Sequence, residues 1–94
     1  MADSIIGGEL LLVTIHELGG VAHLSHIYTL AEKKWNKTGK PMPLNFEPEI
    51  RATLQYHCLE SKRLPKGEIF FRMAKERGRG WWALAKPLPD LPSL

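Results

Sequence analysis

The sequence predicts an α+β fold, three helices followed by a two-stranded β-hairpin, and three observations carry that expectation. Apolar residues recur at helical spacing three times before residue 60: Leu11, Ile15 and Leu18; then Ile27, Leu30, Ala31 and Trp35; then Phe46, Ile50, Leu54 and Cys58. After residue 67 the pattern shortens to an imperfect period of two across EIFFRM (68–73), and WWALA (81–85) follows a glycine-rich turn, AKERGRG. Charge is divided the same way. Residues 1–32 hold no Lys or Arg, whereas residues 61–86 hold eight against two Glu, a net +6 within a chain whose total is +3. A length of 94 residues fits one domain and excludes a two-domain enzyme.

The elements follow in order. Residues 1–7 read as a flexible lead-in. The first helix is expected over 8–18, its apolar stripe widened by Leu10, Leu12 and Val13, and Gly19 and Gly20 stop it because glycine accepts the left-handed conformation that closes many helices. Residues 21–24 are too short for more than a connector or a one-rung strand. Ser25 is the expected N-cap of a second helix over 26–36, with Lys33, Lys34 and Lys37 near its C-terminus, where cations complement the helix dipole. Gly39, Pro41 and Pro43 enforce a turn and an extended link.

The third helix is expected within residues 45–59. Glu47 precedes the first turn and Pro48 takes the first helical position, where its missing N–H costs nothing. Opposite the apolar seam stand Ala52, Gln55 and Tyr56, with Arg51 on the flank, a flat hydrogen-bonding surface of the kind that enters a groove. A polar, basic loop (60–67) leads to the hairpin, and Pro87, Pro89 and Pro92 mark an extended tail. The domain thus spans 8–86, with the tail at 87–94.

Helix, connector, helix, link, helix and basic hairpin is the order of a winged helix-turn-helix, in which the third helix lies in the major groove and the hairpin, or wing, reaches the adjacent backbone or minor groove. The run FEPEIRATLQYH, followed at a distance by GRGWWAL, resembles the winged-helix domains attached to restriction endonucleases and the related HARE-HTH module shared by those enzymes and chromatin proteins. Those domains show an aromatic residue before an IR-x-TLQ-like helix and finish with a Gly-x-Gly-x-Trp-x-Leu strand. The similarity covers roughly residues 8–84. It implies double-stranded DNA binding, in some relatives with sensitivity to base methylation. No nuclease domain accompanies it here, so cleavage does not carry over.

The residue chemistry agrees independently. Lys62, Arg63, Lys75, Arg77 and Arg79 are expected at the DNA backbone, where neutralising phosphates supplies affinity without sequence information. Gln55 suits the N6 and N7 edge of adenine, Arg51 suits guanine, and Ala52 suits a thymine methyl. Each has a plainer alternative: Arg51 on a phosphate or an internal carboxylate, Gln55 merely solvated, Tyr56 closing the core edge. Trp81 and Trp82 alternate, so one faces the core and one the surface. Trp82 is taken as the wing residue, and packing on a neighbouring Lys or Arg stem is favoured over stacking on a base.

Other classes are weakly supported. A zinc site would need His23, His26 and Cys58 to converge with a fourth ligand, and the paired Cys or His signatures of structural sites are missing. No catalytic grouping or phosphate loop stands out, so no enzyme, metal or cofactor is expected. No apolar run approaches the ~18 residues of a membrane span, and the start lacks a signal-peptide pattern. With the lone Cys58 on an apolar seam, a cytoplasmic setting is expected, at the nucleoid if the source is bacterial. A transcription regulator or a defence-system component is the expected role. The alternative is a protein-interaction module without DNA binding, using Phe70, Trp82 and the proline-rich tail; a protein partner or a homodimer stays open.

Overall fold

Among the described residues three helices, α1 (Gly8–Glu17), α2 (Leu24–Asn36) and α3 (Phe46–Tyr56), pack with an antiparallel sheet of three short strands, β1 (Val21–His23), β2 (Phe71–Met73) and β3 (Trp81–Leu84). The computed structural model describes residues 6–59 and 69–85. The expected 60–67 loop, the 87–94 tail and most of the 1–7 lead-in therefore lie outside the described residues, as do Lys62 and Arg63.

α1 buries Leu11, Thr14 and Ile15, with the Thr14 hydroxyl donating to the Leu10 carbonyl at 2.6 Å. Its end is a Schellman closure. The Gly19 N–H donates to the His16 carbonyl at 3.0 Å and the Gly20 N–H to the Ile15 carbonyl at 2.9 Å, with φ values of 100° and 92° that favour glycine.

α2 begins two residues before the expected start, because its cap is not Ser25. The extended His23 occupies that position, and its Nδ1 accepts the Ser25 N–H at 3.2 Å. The helix buries Ile27, Ala31 and Trp35, and the Trp35 indole N–H donates to the Pro41 carbonyl at 3.1 Å, which pins the link to the helix it leaves. α3 also starts early, with Asn45 as its cap residue and Glu49 N–H to Asn45 carbonyl as its first helical bond, at 2.9 Å. Pro48 therefore stands third rather than first. That position is still within the first turn, where backbone N–H groups have no helical acceptor. Cys58 lies past the end of α3, buried in a parallel bridge to Phe71 rather than on the helical seam.

The sheet corrects the two-stranded expectation. β1 pairs with β3 and β3 with β2, in the order β1-β3-β2. Residues 21–23 show no alternation long enough to reveal a strand, and their partner is far along the chain. The pairing is extended at both ends by Leu24 N–H to Gly80 carbonyl (2.8 Å) and Leu84 N–H to Gly20 carbonyl (3.0 Å).

Cross-strand partners share a face. The register Ala22↔Trp82↔Met73 and Leu84↔Phe71 therefore puts these five residues on one side, and His23↔Trp81 and Val21↔Ala83↔Arg72 on the other. Ala22, Phe71 and Trp82 join Ile6, Leu11, Ile15, Ile27, Ile50 and Leu54 in one core, so the first side meets the helices. Burying each large apolar side chain of this set contributes roughly 1.5–3 kcal/mol.

Candidate nucleic-acid interface

α3 turns two faces in opposite directions. Ile50, Thr53 and Leu54 are buried, and the Thr53 hydroxyl donates to the Ile6 carbonyl at 2.8 Å, tying the helix to the segment ahead of α1. Arg51, Ala52, Gln55 and Tyr56 are all exposed. Tyr56 retains about half of its possible exposure (49%), so it does not close the core edge. Arg51 meets neither a carboxylate nor open solvent alone: its Nη1 donates to the Tyr28 hydroxyl of α2 at 2.9 Å. One of its five donors is used, and the guanidinium is held in place by a neutral partner that leaves its charge intact.

The hairpin turn supplies the rest. A single 3-10 turn, Lys75–Arg77, followed by Gly78 and Gly80, carries the exposed side chains of Lys75, Arg77 and Arg79. The φ of Gly80, +79°, favours glycine, and a Cβ there would stand 2.8 Å from His23 Nε2, so the His23 ring would have to shift. Arg72 pairs with Glu76 at 3.4 Å. The Glu76 carboxyl is held below the ordinary carboxylate range, first by a backbone hydrogen bond at its own residue and then by Arg72. Neither Lys75, Arg77 nor Arg79 forms a salt bridge with any described carboxylate.

Trp82 is corrected from a surface position to the core, at 6% exposure. The two indoles do alternate across β3, with Trp82 on the side it shares with Ala22 and Met73, which meets the helices. Trp81 is the outer member. The Arg77 guanidinium lies 5.3 Å over its ring and the His23 ring meets it edge-on at 5.5 Å, so a basic side chain does cover the outer tryptophan.

Helix and hairpin converge on an open concavity of about 460 Å³. Arg51 and Gln55 reach it from α3, and Lys75 and Arg79 from the hairpin turn. Its apolar lining comes from Leu24, Met73, Trp81 and Trp82. Leu24, Met73 and Trp81 line it without having been singled out by sequence reasoning, and Tyr28, which holds Arg51 beside it, was not singled out either. Leu24 and Tyr28 are one helical turn apart on α2, a spacing that gives no hint of what lies opposite.

Among the described residues no group of three His, Cys, Asp or Glu side chains is arranged to hold a metal ion, and no helix is long and apolar enough to cross a membrane. No protein-family model, curated protein or solved structure matches the chain.

Proposed function

We propose that the chain is a non-catalytic module that binds duplex DNA as a winged helix, with α3 in the major groove and the β2–β3 hairpin as the wing on the backbone or minor groove. The observation that supports this most is the convergence of Arg51 and Gln55 from α3 with Lys75 and Arg79 from the hairpin on one surface. The division of labour follows from chemistry. Lys75, Arg77 and Arg79 sit on an exposed turn and neutralise phosphates, while the amide of Gln55 and the methyl of Ala52 are carried on a helix and address base edges. Regulation of transcription, or recognition within a defence system, is the biological setting this proposal fits.

A salt titration tests it. With Arg51, Lys75, Arg77 and Arg79 each on a phosphate, the logarithm of the association constant should fall against the logarithm of salt concentration with a slope of roughly −3 to −4. No affinity for any duplex at low salt overturns the proposal.

A protein-binding role is the second reading, favoured by one feature. Leu44 is 98% exposed, and Met42 is exposed with it, in the proline-flanked link between α2 and α3. Trp82, by contrast, is buried and is not available to a partner. A complex that survives nuclease treatment and is lost on Leu44→Ser, together with no duplex affinity, selects this reading over the first.

A further inference from the structure

The concavity between α3 and the hairpin has a composition that phosphate contacts alone do not explain. Its deeper members are the buried Trp82 with the half-buried Leu24 and Trp81, and its exposed members include three cations, Arg51, Lys75 and Arg79. Among the described residues no carboxylate lines it. A DNA backbone lying across the surface would use the cations and leave the Trp81 indole idle, since a phosphate gains nothing from an apolar floor. The complementary ligand carries a flat apolar ring and an anion within one residue's reach, and the volume of about 460 Å³ lies within the range of small-ligand sites.

We infer that this concavity receives a single unpaired nucleotide, its base against the half-buried Leu24 and Trp81, with Trp82 behind them in the core, and its phosphate among Arg51, Lys75 and Arg79. In an intact duplex each base is stacked on both faces and has no ring to offer. The nucleotide therefore comes from a bulge, a mismatch or a strand end, or from free nucleotide in solution. Gln55, with one carbonyl acceptor and two amide donors at the α3 side of the concavity, addresses the edge of the base. The outer tryptophan is prepared for this role because Arg77 and His23 already fix its ring. Stacking on the indole accepts any base, so a preference among unpaired bases comes from Gln55 rather than from Trp81.

This inference rests on the duplex reading, and the test separates the two. End-labelled duplexes of one sequence are titrated by fluorescence anisotropy in three forms: fully paired, with one unpaired base at the centre, and with an abasic residue in place of that base. Nucleoside 5′-monophosphates are titrated separately by tryptophan fluorescence. The bulged duplex should bind about tenfold more tightly than both the paired and the abasic forms, the size expected for one base stacked on an aromatic ring. Trp81→Ala should abolish the difference between bulged and abasic forms, a ratio that does not depend on overall affinity. Binding of monophosphates without a gain from the bulge assigns the site to free nucleotide. Equal affinity for all three duplexes, with no monophosphate binding, overturns the inference while leaving duplex binding intact. Monophosphate binding with no duplex affinity supports the concavity and overturns the duplex reading instead.

Discussion

α3 and the β2–β3 hairpin present their polar groups in different ways. α3 is anchored on one side by Ile50, Thr53 and Leu54, so Arg51, Ala52, Gln55 and Tyr56 stand at fixed spacing on a backbone the core holds. The hairpin tip is held by Ala74 N–H to Trp81 carbonyl (3.0 Å), one 3-10 turn and the Arg77 contact with Trp81, and its 75–80 stretch buries no side chain. A helix fixed to a core suits hydrogen bonds that depend on direction. An exposed turn suits charge, which acts over distance and tolerates movement. The low-stability ends of a structure are where adaptable contacts are found, and the hairpin tip fits that description better than α3 does.

The comparison can be broken at its shared support. Trp82 packs in the core behind the concavity, so Trp82→Ala should cost about 3–5 kcal/mol in urea denaturation, with binding lost in proportion to the unfolded fraction. A loss within ±0.5 kcal/mol would mean that Trp82 is a surface residue after all. Charge reversal at Arg77 and Arg79 comes next. It should weaken every duplex alike and reduce the magnitude of the salt slope by about 2, whereas a sequence-dependent loss would move base reading to the hairpin.

Gln55→Ala sharpens the other side. It should cost roughly 1–3 kcal/mol for sites with the preferred base at one position and little elsewhere, measured by competition among single-base variants. Uniform weakening would remove Gln55 from a base-reading role. The smallest effect is expected from Glu76. Because its folded carboxyl titrates below the ordinary range, the stabilisation it provides is present above that range and is lost as pH falls through the lowered value. Glu76→Gln should therefore flatten the acid side of a melting-temperature profile slightly, the side chain being exposed. A profile that changes on the alkaline side would contradict this sign.

Much of the helical architecture was legible because helix faces repeat over three or four residues of contiguous sequence. Ile27, Ala31 and Trp35, or Ile50 and Leu54, announce a buried stripe whatever surrounds them, and the exposure of Ala52, Gln55 and Tyr56 follows from the same geometry. Helix starts were less legible. His23 caps α2 through a ring nitrogen, and a histidine in that position competes in any sequence reading with the more usual Ser25 two residues on. β1 was legible only as a choice between a connector and a one-rung strand: three residues carry no period, and its strand character exists through hydrogen bonds to β3.

The concavity belongs wholly to long-range structure. Leu24, Gln55, Arg79 and Trp81 share no motif, and their meeting depends on β1 drawing the start of α2 against the end of the hairpin turn through the Leu24–Gly80 hydrogen bond. What the sequence determined by itself was local: three amphipathic helices, a basic second half, a glycine-rich turn and an alternating tryptophan pair. Tertiary structure decided which tryptophan faces inward, that the sheet has a third strand, and that α3 and the hairpin line one surface. Periodicity shows that a strand has two faces, but strand pairing and register decide which of them the core takes.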